Sequence, residues 1–76
     1  MLKFAQNEIE WADISDVSIT ADDSGVEVSV TVEETVLVVN VYPTAAQATS
    51  VKNLIEASKT AASFGGVLIE VIIESL

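Results

Sequence analysis

Only one stretch of this chain has the period of a helix, and it limits how many sheet faces the rest can cover. From Pro43 to Gly66 the residues Ala48, Val51, Leu54, Ile55, Ser58, Ala61 and Ala62 recur at steps of three and four, which is one stripe of a helix. Thr44-Ala45-Ala46-Gln47 before it reads as a capping box, in which the threonine hydroxyl accepts from the Gln47 amide while the glutamine side chain reaches back. Gly65-Gly66 supplies the left-handed residue at which helices end with little strain. Ser58, in mid-stripe, is expected to bond back to the Leu54 carbonyl and let the helix lie close on a sheet.

The remaining segments alternate as strands do. Asp13–Thr20 places Val17 and Ile19 on one face, with Ser15 and Asp13, and leaves Ile14 among polar residues. Ala21-Asp22-Asp23-Ser24-Gly25 follows as a hairpin loop. Val26, Val28, Val30 and Val32 then share one face, against Glu27, Ser29 and Thr31 on the other. Glu33-Glu34 is read as a tight connection, although neither residue favours the positive φ of the best two-residue turns; a bulge within one long strand is the alternative. Val36–Tyr42 is apolar on both faces, with Val36, Val38, Asn40 and Tyr42 on one and Leu37, Val39 and Val41 on the other. Val67, Ile69, Val71 and Ile73 share a face of a last strand, and Leu68, Glu70, Ile72 and Glu74 its reverse.

The expected fold class is therefore α+β: a small, mixed, mainly antiparallel four-stranded sheet with one helix on one face, in the order β-β-β-α-β. The last strand is expected to run parallel to Val36–Tyr42 through a right-handed crossover. Residues 1–76 are read as a single domain, with 1–12 as an N-terminal arm or an extra strand carrying Leu2, Phe4, Ile9 and Trp11. One helix shields one sheet face, so the other face asks for cover from that arm or from a second copy of the chain.

Composition narrows the chemistry. The chain has neither cysteine nor histidine, so disulfides and Cys/His zinc sites are excluded, and no arginine. Catalysis would rest on carboxylates, lysines, Tyr42 and hydroxyls, with little room for the pocket that tunes a general acid. The expectation is a protein that is not an enzyme, with no catalytic, metal or cofactor-binding residue. Asp22-Asp23-Ser24-Gly25-Val26-Glu27 lacks the spacing of a calcium loop. Gly65-Gly66 ends a helix rather than opening one, so it is no phosphate loop.

Twelve acids face three lysines, a net charge of −9 at pH 7. Residues 1–34 hold nine of those acids with Lys3. Such a chain repels nucleic acid and anionic membrane and is drawn to basic surfaces, whereas the plain reading is solubility for a chain that is 50% hydrophobic. No apolar run reaches the roughly 18 residues of a membrane span and no leader is visible, so a cytoplasmic location is expected (a host cytoplasm if phage-encoded).

Two functional readings stand at this level. In the first, an acidic face of Glu8, Glu10, Trp11, Asp13, Asp16 and Glu27 binds a basic, nucleic-acid-binding surface of a partner protein. A tryptophan in an acidic rim suits arginines, and the chain is similar in size and charge, though in no motif, to phage-encoded anti-restriction and anti-CRISPR inhibitors. In the second, the chain is a homodimeric assembly protein that associates through an apolar face or edge strand, by Leu37, Val39, Val41, Leu68 and Ile72.

Overall fold

A computed structural model describes residues 1–65 and 68–75. Gly66 and Val67, placed by the sequence at the helix end and at the start of the last strand, lie outside the described residues. The class is α+β, with one helix and two three-stranded sheets where a single four-stranded sheet was expected.

The N-terminal twelve residues are the reason. Leu2–Phe4 (β1) and Asn7–Ile9 (β2) form a small hairpin in which Phe4 faces Asn7 across Ala5-Gln6. Of the two turn residues only Ala5 has positive φ, at 49°, the pattern of a type II′ turn. A 3-10 turn follows over Trp11–Asp13. The central sheet is then Ile14–Asp22 (β3), Gly25–Val32 (β4) and Thr35–Tyr42 (β5), an antiparallel meander in that order. The helix α1 spans Ala45–Ser63, and the last strand, β6, is only Val71–Ile73.

β6 pairs parallel with β1, Leu2 facing Val71 and Phe4 facing Ile73, and not with β5 as expected. The β1–β2 hairpin offers a ready edge, and two interactions hold the approach to it. The Trp11 indole Nε1–H donates to the Ile69 carbonyl at 2.8 Å, and the Met1 amino group donates to the same oxygen. That carbonyl therefore faces the N-terminal segment, and ladder pairing begins only at Val71, whose N–H donates to Met1 O.

Two bulges shift the parity expected of the central sheet. Between Ile14 and Asp16 the register slips against β4, so Ile14 joins Val17 and Ile19 on the inner face and is buried. Between Val28 and Ser29 the pairing on β5 jumps from Asn40 to Val38 and leaves Val39 unmatched. Val36 and Val38 are thereby on the outer face with Val41, whereas Leu37, Val39 and Tyr42 pack on the core. The strict alternation of the sequence assigned Tyr42 to the face of Val36; one extra residue reverses it.

One core unites these layers: Leu2, Phe4, Ile9 and Trp11 from the N-terminal segment, Ile14, Val17, Val28, Val30 and Tyr42 from the central sheet, and Ala48 and Ile55 from α1. Thr44 caps the helix as expected, its hydroxyl oxygen accepting from the Gln47 amide at 3.3 Å. Its hydroxyl meets Gln47 Oε1, so the glutamine does not complete the box by reaching back to the backbone. Ser58 is buried against the sheet, and a back-bond to the preceding turn is made by Ser50, to the Ala46 carbonyl at 3.0 Å.

The N-terminal segment packs beside α1, on the inner side of the central sheet. It does not cover the outer face. Most of that face is polar, with Asp16, Ser18 and Thr20 on β3 set against Thr31, Ser29 and Glu27 on β4. Only the β5 column is apolar and open: Val36 is 61% exposed, Val38 48% and Val41 37%.

Candidate functional site

The acidic residues fall into separate places, and strand register decides which of them meet. Ile14 faces Val32, so Asp13 just before it and Glu33 just after its partner arrive at the same end of the sheet. Asp16 faces Thr31 one step further in, and Glu34 completes the turn to Thr35. Asp13, Asp16, Glu33 and Glu34 thus gather at one end, with Glu10 one 3-10 turn away through the bond from the Asp13 amide to the Glu10 carbonyl. Among the described residues no group of three or more acids is close enough to hold a metal ion.

The backbone of that end is unusual. Val32 and Thr35 are partners, so Glu33-Glu34 is a two-residue turn. Both residues have positive φ, 50° and 69°, the pattern of type I′. Asn-Gly is the pair that adopts this geometry readily; a residue with a Cβ is penalised there by roughly 1–2 kcal/mol. Two adjacent glutamates therefore sit in a conformation that neither favours.

The other sequence-singled acids lie apart from this end. Glu8, on β2, pairs with Lys3 at 3.5 Å, and Lys3 reaches Glu70 at 3.3 Å on the other side. The hydrogen bond and charge of Glu70, then the charge of Glu8, hold the Lys3 ammonium above the ordinary lysine range. Glu27 lies on the outer sheet face, where its Oε1 accepts from the Ser29 hydroxyl at 3.1 Å. Trp11 is only 6% exposed; its ring belongs to the core and its N–H to Ile69. At the opposite tip Asp22 accepts from both the amide and the hydroxyl of Ser24 at 2.8 Å. Those bonds stabilise the ionised carboxyl and lower its pKa.

Ion pairing neutralises little. Lys3 engages Glu8 and Glu70, and Lys52 engages Glu56 one turn along α1, so nine of the twelve acids have no lysine partner among the described residues. Beside the acidic end a hollow of about 170 Å³ is lined by Ser15, Asp16, Val17, Glu56, Lys59 and Thr60. Lys59 there makes no ion pair among the described residues.

The apolar residues singled out for self-association also separate. Leu37 and Val39 are half-buried on the core side, Val41 is on the outer face, and Leu68 and Ile72 are exposed around the small sheet. Glu33 and Glu34, which the sequence marks only as a connection, and Val36 and Val38, which it does not mark as an open row, are the residues that pattern alone leaves unassigned. For the glutamates a signal existed, since a two-residue gap between alternating strands demands positive φ. For the valines the bulge hid it.

No family model, curated protein or solved structure matches the chain. Among the described residues no helix is long and apolar enough to cross a membrane.

Proposed function

We propose that this chain is an acidic protein-binding module whose end formed by Asp13, Asp16, Glu33 and Glu34 engages a basic surface of a partner protein, in effect competing there with nucleic acid. The observation that carries this reading is the Glu33-Glu34 turn. Strained backbone in a small domain is retained where something other than stability is served, and here the strain keeps two carboxylates on an exposed tip beside two more. A turn selected for folding alone would be Asn-Gly. Closely set carboxylates match the spacing of cations on a surface that binds phosphates, and charge of one sign speeds encounter with such a surface.

The test is capture from a cell extract by the immobilised protein, compared with a Glu33→Lys/Glu34→Lys variant. The expected partner is eluted by salt and displaced by added double-stranded nucleic acid, and the variant loses it by at least tenfold. Retention of the same partner by the charge-reversed variant, or capture indifferent to nucleic acid, overturns the reading.

A further inference from the structure

The strand β5 ends the central sheet and, unlike the other strand edges among the described residues, carries no acidic residue on or beside its middle. The opposite edge, β3, carries Asp16 and Asp22; β2 carries Glu8; and β6 is flanked by Glu70 and Glu74. Charges at edges prevent strand addition, and Thr35–Tyr42 has none.

Which backbone groups this edge offers follows from the hairpin. The residues that flank a two-residue turn form a hydrogen-bonded pair, and such pairs alternate along an antiparallel ladder. Thr35 and Leu37 therefore bond to β4, whereas Val36 and Val38 turn their N–H and C=O groups outward. Past the bulge the outward residue is Val41, and its N–H is already taken by Asn40 Oδ1 at 3.1 Å. The same carboxamide donates to the Glu74 carbonyl at 3.1 Å, which closes the edge from Asn40 onward. The open length is Thr35–Val39, and the two residues with free backbone groups are the most exposed of the large apolar residues on the outer face.

From this we infer that a second copy of the chain adds to this edge, β5 against β5 antiparallel, about a two-fold axis through Leu37. Val36 of one copy then faces Val38 of the other, and about four N–H···O bonds form. This is the register that uses both outward residues on both copies. It also sets four valines side by side on one face of a continuous sheet, where their flanks pack against one another across the strands. The paired segment, Thr35–Val39, carries no acid, so two copies of net charge −9 set no acid against an acid within the ladder; at its ends Glu34 of each copy arrives beside Asn40 and Glu74 of the other, so the pairing is opposed by charge at low salt. Five residues span about 17 Å at 3.4 Å each, short of a standard interface, so the dimer is weak and concentration-dependent. The inference does not depend on the acidic end, which lies outside the paired segment.

Sedimentation equilibrium up to the highest soluble concentration tests it, with amide exchange read at Val36 and Val38. Ionic strength is raised from about 0.01 M to about 1 M, shrinking the Debye length from about 30 Å to about 3 Å. The expected result is a mass that doubles with concentration, more readily at high salt, with exchange at the two amides slowing in step. Val38→Lys should remain a single copy, while Thr20→Lys, which adds the same charge to the same face on β3, should still dimerise. A wild type of single-copy mass at high salt, or a Val38→Lys variant that doubles as well, overturns the inference. Slowed exchange at Val36 and Val38 in the wild type decides the matter even if a variant folds poorly, and unchanged exchange counts against it.

Discussion

Glu33 and Glu34 show how a single pair of residues can set stability against charge. Their φ angles of 50° and 69° lie where any side chain crowds the following carbonyl. The double substitution Glu33→Asn/Glu34→Gly supplies the residues this turn prefers and should stabilise the fold by roughly 1 kcal/mol net. For a domain of this size that corresponds to a rise in Tm of about 4–8 °C, measurable by a thermal melt followed by circular dichroism. An unchanged or lower Tm would mean that the turn is not strained, and the argument for its acidic tip would lose its footing. The same variant removes two of the four clustered carboxylates, so stability and capture of a basic partner should move in opposite directions. Gly25 is the contrasting case. Its φ is 139°, and a Cβ there would stand 2.6 Å from the Tyr42 carbonyl oxygen, so a residue other than glycine has no room.

At the scale of elements, the joint between the N-terminal hairpin and the last strand is the part that alternation could not show. Leu2, Phe4 and Ile9 were legible as apolar, but three-residue strands are too short for a period to declare itself. What sets their pairing is the Ile69 carbonyl, which receives the Trp11 indole and the Met1 amino group from 58 and 68 residues away along the chain. Trp11→Phe keeps most of the buried ring and deletes one donor, at a cost of about 1 kcal/mol. The loss should be local. Exchange at the Val71 amide, which donates to Met1 O at 3.1 Å, should accelerate more than exchange in β4. Equal acceleration in both would show that the indole bond does not hold β6 to β1. The helix, by contrast, was readable in its extent, because cap, period and Gly65 agreed over a long stretch, but not in its whole stripe: Ala48, Ile55 and Ser58 are buried whereas Leu54, counted with them, is 48% exposed.

Across the whole molecule, α1 and the N-terminal segment both cover the inner side of the central sheet, so of the two covers the sequence offers for the outer face the arm is excluded. A chain apolar on both faces of one strand implied a second covering layer, yet a bulge at Val39 turned half of that strand inward and left only Val36, Val38 and Val41 bare. Bulges have no reliable signature in a run of valines, since each residue fits either face equally. The distribution of charge was fully visible, because it needs only counting; its gathering at one end was not, because that depends on register. The sum of those charges makes a last prediction. Nine net negative charges are spread over a body about 41 Å long, and the three lysine–carboxylate contacts are exposed pairs of little worth. Added salt weakens both the pairs and the mutual repulsion of the acids, but the repulsion involves many more charges. Tm should therefore rise as sodium chloride is raised from about 0.01 M to about 0.15 M, over which the Debye length falls from about 30 Å to about 8 Å. Melts at a protein concentration low enough to keep the chain single separate this from any gain by dimerisation. A Tm that falls over that range would mean that the few lysines stabilise the fold more than twelve acids disturb it.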